Sequence, residues 1–159
     1  MDKITLEHGY VLFFNINNVP DKIIDIIKTD NETCIKNSDF DRHDIYYEQL
    51  ITINGNYDNA YFVSAYNFED IYIGGVILYL KDKPDYVNPD VPAFQGIAKS
   101  MHKTDIKLNS LLIPAMISFV KTKGFNQLNV EPLDRQKKIL LDYYNFIEKH
   151  FGELSYKII

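Results

Sequence analysis

The sequence predicts a mixed α/β layered domain: a central sheet of mixed direction flanked by helices. Three observations carry that expectation. Short apolar runs rich in aromatic and β-branched residues recur along the chain, as at Tyr10–Phe14, Ala60–Tyr66 and Ile71–Leu80. A long apolar stretch near the middle of the second half, Leu111 to Val120, has only one narrow polar stripe, so it must lie across a sheet. Strand-like and helix-like segments then alternate from Phe94 to the last residue.

Taken in order, Tyr10-Val11-Leu12-Phe13-Phe14 reads as a buried strand ending near Ile16. Asn18-Val19-Pro20-Asp21 starts a helix with proline and an acid in its first turn, and Ile23, Ile24 and Ile27 give it a buried face. Asp41 to Leu50 has Ile45, Tyr46 and Leu50 at helical spacing. The polar tetrapeptide Asn67-Phe68-Glu69-Asp70 separates two strands as a hairpin turn, and Gly74-Gly75 in the second of them marks a bulge or a close approach. Three prolines and three aspartates make Lys81 to Pro92 a loop. Phe94 to Met101 is a strand. Asn109 or Ser110 then caps a helix that runs to Lys123, with Ser110, Pro114, Ser118 and Lys121 as its polar stripe and Gly124 as its C-terminal cap. Asn126 to Val130 is a strand, Asp134 to His150 a helix with Leu140, Tyr143, Ile147 and Phe151 on its buried stripe, and Glu153 to Ile159 a final strand. The expected order is β-α-α-β-β-β-α-β-α-β, in a single domain over residues 1–159.

At 159 residues and 46% hydrophobic composition the chain buries a core without help from disulfides or metal. A lone cysteine, Cys34, forms no internal disulfide and fits a reducing compartment. Met1 to His8 lacks a basic region followed by an apolar stretch, and no segment reaches the ~18–20 apolar residues that span a bilayer, so neither a signal peptide nor a membrane segment is expected. A net charge of −5 argues against a general nucleic-acid binder. Many Asn, Ile, Lys and Tyr residues with no Trp fit an AT-rich genome, such as that of a large DNA virus, a phage or an AT-rich bacterium. The expected location is cytoplasmic, in a host cytoplasm or virion if the protein is viral.

Several familiar constellations are missing. Cys34 and His43 are nine apart with no partner pair, so no zinc site is expected. Pro84-Asp85 followed by Lys99 hints at a nuclease core, but Ile97 stands where the second acid belongs. No Gly-x-x-x-x-Gly-Lys loop or Gly-x-Ser-x-Gly elbow occurs. Tyr46-Tyr47, Tyr61 and Tyr66 have few interleaved cations and read as core rather than as base-stacking platforms.

The order strand, loop, long helix, Lys123-Gly124-Phe125, strand and tyrosine-bearing helix resembles the GNAT N-acetyltransferase superfamily, over essentially the whole chain and most closely in its second half. That resemblance implies acetyl-CoA as co-substrate and an amine as acyl acceptor. It puts the pyrophosphate loop at Thr104-Asp105-Ile106-Lys107-Leu108-Asn109, where the family pattern Arg/Gln-x-x-Gly-x-Gly/Ala has Thr104 for the first residue, Lys107 for the first glycine and Asn109 for the second. Lys107 costs ~1–2 kcal/mol there if positive φ is required, while Lys103 and Lys107 offer charge to phosphates. The coenzyme site so implied comprises the backbone of Ala98, Lys99 and Ser100 and the loop Lys103, Thr104, Asp105, Ile106, Lys107, Leu108, Asn109 and Ser110, with Gly96 allowing close approach. Tyr143 and Tyr144, 19 and 20 residues past Gly124, stand where the family's thiolate-protonating tyrosine falls. Glu131 is the best-placed carboxylate and His102 the best-placed imidazole for a general base. Against the enzyme stands a second expectation, a non-catalytic module of the same fold kept for binding or structure.

Overall fold

The computed structural model describes residues 2–36, 53–84, 88–100, 106–130, 134–149 and 153–158, apart from the side chains of residues 31, 34–36, 96–99 and 134–136. Its strands are β1 (Asp2–Thr5), β2 (Val11–Ile16), β3 (Ala60–Tyr66), β4 (Tyr72–Tyr79), β5 (Ala93–Lys99), β6 (Gln127–Val130), β7 (Ile147–Glu148) and β8 (Leu154–Lys157). Among the described residues they are accompanied by the α-helices α1 (Asp21–Lys36), α2 (Leu108–Thr122) and α3 (Asp134–Tyr143). The strands form one sheet in the order β1-β2-β3-β4-β5-β6-β8-β7. Every neighbouring pair is antiparallel except β5 and β6, which run parallel. A parallel pair needs a crossover, and α2 supplies it.

Each face of the sheet carries its own core. On one side α2 lays Leu112, Ile113, Met116, Phe119 and Val120 against Leu12, Phe14, Val63, Val76, Leu78, Phe94 and Val130. Phe14 stacks on Phe119 with ring centroids 4.4 Å apart, and Tyr61 meets the same ring edge-on at 5.0 Å. Ser110, Pro114, Ser118 and Lys121 are all exposed, as their spacing requires. On the other side Ile23 and Ile27 of α1 join Ile53, Phe62, Tyr66, Tyr72, Ile77 and Tyr79. Burying each such side chain is worth ~1.5–3 kcal/mol, so the two faces together hold the molecule.

Most expected elements are present within a residue or two. Asn67 makes the hairpin turn: its Oδ1 accepts the N–H groups of Glu69 (2.8 Å) and Ile71 (3.0 Å), and Asp70 takes φ 60°. The Gly74-Gly75 pair does both things foreseen for it. The β3–β4 register shifts beside it, as does the β4–β5 register, where Gly75 faces Ala98 but Ile77 faces Gln95, so β5 carries one extra residue. A Cβ on Gly75 would stand 2.7 Å from the Val63 carbonyl oxygen and 2.8 Å from the Phe62 ring. Gly124, at φ 91°, ends α2.

Three expectations need correction. Two strands, β1 and β7, join the sheet where none was foreseen, each too short or too polar to stand out from the sequence. The last helix stops at Tyr143 rather than His150, because Asn145 adopts a left-handed φ of 62° and Phe146 turns inward against Phe94 and Tyr156. Ile147 and Tyr143, assigned to a buried stripe, are therefore exposed at 52% and 77%; Leu140 and Phe146 are the buried residues. The weak helix Asp41–Leu50 lies outside the described residues. Among the described residues no helix is long and apolar enough to cross a membrane.

Two expectations for stability follow. Gly75→Ala should cost ~1–3 kcal/mol in urea unfolding, since its new methyl group meets a backbone oxygen that cannot rotate away. Burial, with Tyr57 alongside, pushes the Tyr79 hydroxyl up to about 12. The unfolded phenol ionises near ~10, so the native state binds the extra proton and stability should fall as pH rises from about 10 towards 12. A pH series of thermal melts in that window should show a shallower fall for Tyr79→Phe.

Candidate active site

The site is built around the parallel pair. Val130 aligns with Phe94 and Asn129 with Ala93, and the Asn129 N–H donates to the Pro92 carbonyl at 2.9 Å. Among the described residues these are the only β5–β6 pairs, although β5 continues to Lys99. Its other edge stays laced to β4 as far as Gly74 and Lys99. Residues 95–99 thus present one edge of backbone that no described strand occupies.

Alternation decides which groups lie on that edge. The Ser100 N–H donates to the Ile73 carbonyl at 3.0 Å and its hydroxyl to the Tyr72 carbonyl at 3.2 Å, so Ser100 is tied to β4. Ala98, two residues back and opposite Gly75, faces β4 in the same way, which turns the backbone of Lys99 towards the unoccupied edge. Of the three residues expected to offer backbone donors, the geometry favours Lys99. Ser100 is spent on holding the strand.

Past that strand, Lys103, Thr104 and Asp105 lie outside the described residues, as do His102 and Glu131. Ile106 packs against the core beneath α2. The helix opens earlier than expected: Lys107, not Asn109 or Ser110, is the N-cap, and Leu108 begins the helix with its side chain buried. Lys107 has φ −80° and ψ 119°, ordinary extended backbone, and no residue from Ile106 to Ser110 has positive φ. The penalty expected for losing glycine at Lys107 is therefore absent. No side chain caps this terminus; the Lys107 carbonyl instead accepts both the Ser110 N–H (3.0 Å) and the Ser110 hydroxyl (2.6 Å). The amides of Leu108 and Asn109 head the helix and point out along its axis, at the positive end of its dipole.

The two candidate tyrosines part company. Tyr143 is 77% exposed. Tyr144 is half-buried, packs on the core face that holds Phe94 and Leu140, and has its hydroxyl's pKa raised by burial. Phe146, whose ring lies 6.2 Å from that of Phe94, pins this turn over the start of β5.

Sequence reasoning passed over a set of polar side chains on the opposite, α1-side face. Asn129, Ser155 and Glu153 are buried, Gln127 and Asn88 bond to them, and Gln95 has a buried, unpartnered Oε1. Their only trace in the sequence is a polar residue at every second position of Gln127-Leu128-Asn129-Val130, a pattern that a solvent-facing strand shares. Among the described residues no cluster of three or more His, Cys, Asp or Glu side chains could hold a metal ion.

This architecture matches known structures closely. Its fold is that of GNAT-family acetyltransferases. A GNAT-family acetyltransferase from Staphylococcus aureus Mu50 superposes with a TM-score of 0.65 at 14% identity, covering 93% of this chain and 99% of that one. Another from Listeria monocytogenes gives 0.60 at 12% identity over 99% and 100%. An aminoglycoside acetyltransferase from an uncultured soil metagenomic sample, solved with trehalose, gives 0.53 at 21% identity over 87% of each chain. No protein-family model and no curated protein matches the sequence.

Proposed function

We propose that the protein is an acetyl-CoA-dependent N-acyltransferase that moves an acetyl group from the coenzyme thioester to an amine. The observation that carries this reading is the match of the whole fold to GNAT-family acetyltransferases, over 93% and 99% of this chain in two of them; the coenzyme arm would lie along the edge of β5 beyond Phe94, which no described strand occupies. Backbone N–H and C=O groups need hydrogen bonds, and the amide-rich arm of a coenzyme supplies them in the manner of an added strand. Lys99 N–H then lies where it can polarise the thioester carbonyl and stabilise the oxyanion of the tetrahedral intermediate. The α2 terminus, headed by Leu108 and Asn109, takes the pyrophosphate, with the Lys107 and Lys103 ammonium groups adding charge; Thr104, Asp105 and Ile106 complete that loop. Collapse of the intermediate forms the amide, breaks the C–S bond and passes a proton to the departing thiolate. Tyr144 is the better placed of the two tyrosines to donate it, because it packs on the core face that holds Phe94 while Tyr143 is turned out to solvent.

Acetyl-CoA at ~100 times its dissociation constant should add ~2.7 kcal/mol to stability, read as a rise in melting temperature. Lys107→Asp separates fold from function. An aspartate in this extended N-cap conformation should stabilise the free protein by ~0.5–2 kcal/mol, yet it sets a negative charge against the pyrophosphate and should weaken coenzyme binding. No response of the wild type at millimolar acetyl-CoA would favour the non-catalytic module. Tyr144→Phe should lower kcat by ~10²-fold or more in an acetyl-transfer assay while Tyr143→Phe leaves it unchanged; equal activity of both variants would remove the proposed acid.

A further inference from the structure

The α1-side face of β6 and β8 is polar. Leu128, Val130 and Leu154 belong to the α2-side core, so alternation turns Gln127 and Asn129 of β6 and Ser155 and Lys157 of β8 to the other face. Among the described residues neither strand adds a side chain to the α1-side core. This strip is nevertheless withdrawn from water: Asn129 is fully buried, Ser155 is 3% exposed and Glu153, just before β8, is 6% exposed. Hydrogen bonds stand here where apolar packing holds the rest of the sheet. Gln127 Nε2 donates to Asn129 Oδ1 at 2.9 Å and to Ser155 Oγ at 2.8 Å, and Asn129 Nδ2 donates to Glu153 Oε1 at 2.8 Å.

Asn129 joins this network to the entry of β5. It aligns with Ala93, and its backbone N–H donates to the Pro92 carbonyl at 2.9 Å. Val130, next in the chain, aligns with Phe94 on one side and Leu154 on the other. The loop between β4 and β5 is drawn to the same point. Asn88 Nδ2 lies 3.5 Å from Glu153 Oε1, the Asn88 carbonyl accepts the Val91 N–H at 3.1 Å, and the Pro89 carbonyl accepts the Asp82 N–H at 2.6 Å. One buried residue thus ties β6 to the start of β5 through its backbone and to the start of β8 through its side chain.

Stability alone does not account for these residue types. A buried carboxylate with its amide donor is often no more stabilising than apolar side chains of the same shape, whereas its hydrogen bond forms in one alignment only. We propose that Asn129 and Glu153 are positioning residues: their hydrogen bond fixes how β6 and β8 meet the start of β5, and through it the line along which the coenzyme arm lies beyond Phe94. This deepens the acyl-transfer reading and rests on it for the coenzyme; the clasp itself stands without one.

Two double variants of the full chain separate positioning from stability. Asn129→Leu with Glu153→Leu removes both polar partners and nearly keeps their volume, so it should melt close to the wild type. It should nonetheless bind acetyl-CoA ~10-fold or more weakly by calorimetry, and the amide at position 129 should exchange with deuterium faster. Asn129→Asp with Glu153→Gln reverses the hydrogen bond but keeps it, since the new amide donates to the new carboxylate. Coenzyme affinity and amide exchange should then both return to within about threefold of the wild type. The proposal is overturned if the first variant binds acetyl-CoA as the wild type does or exchanges no faster at position 129, or if the second folds and binds no better than the first. A first variant that fails to fold makes the network a matter of stability and also overturns it. A wild type that does not bind acetyl-CoA, with exchange at position 129 behaving as stated, instead removes the acyl-transfer reading and leaves the clasp standing.

Discussion

Pairing of backbone groups is the constraint on which this structure turns. A sheet strand has two edges, and each must find partners. β5 meets that demand on its β4 side along its length, and among the described residues it pairs with β6 at Ala93 and Phe94. Those two residues are held from below as well, for Phe94 lies in the α2-side core and meets the ring of Phe146. The parallel pair is thus clamped where β5 begins.

The crossover helix makes the clamp possible. Its buried residues face strands from β2 to β6, so α2 fixes the distance and twist between the antiparallel half of the sheet and the parallel pair. Its polar residues are confined to one narrow exposed stripe. A helix so apolar cannot shift around its axis without exposing Leu112 or Met116 to water, at ~1.5–3 kcal/mol for each side chain. Its first turn, with Leu108 buried, is therefore fixed against the sheet.

The bulges at Gly74-Gly75 work towards the same end. They give β5 an extra residue opposite β4, between Gln95 and Ala98. Glycine is enforced there, for the Cβ position of Gly75 is filled by Val63 and Phe62.

Much of the fold was legible in the chain alone. The apolar run and single polar stripe of α2, the glycine that ends it, the hairpin at Asn67–Asp70 and the buried face of α1 follow from periodicity and turn chemistry, which are local properties. The resemblance to GNAT acetyltransferases also came from local order and spacing. What local pattern could not give was anything fixed by long-range register. Asn145 left the last helix early because Phe146 had a pocket against Phe94 to fill, and so Tyr143, expected on the buried stripe, is exposed while Tyr144 is half-buried. Lys107 lost its expected strain because the helix begins at Leu108, with the lysine in extended backbone. Asn129 and Glu153, 24 positions apart in the chain, met only once β8 paired with β6. Sequence determined the elements, through the free energy of burying one face of each; tertiary structure alone decided which polar atoms were left facing one another, because that depends on how strands far apart in the chain are aligned.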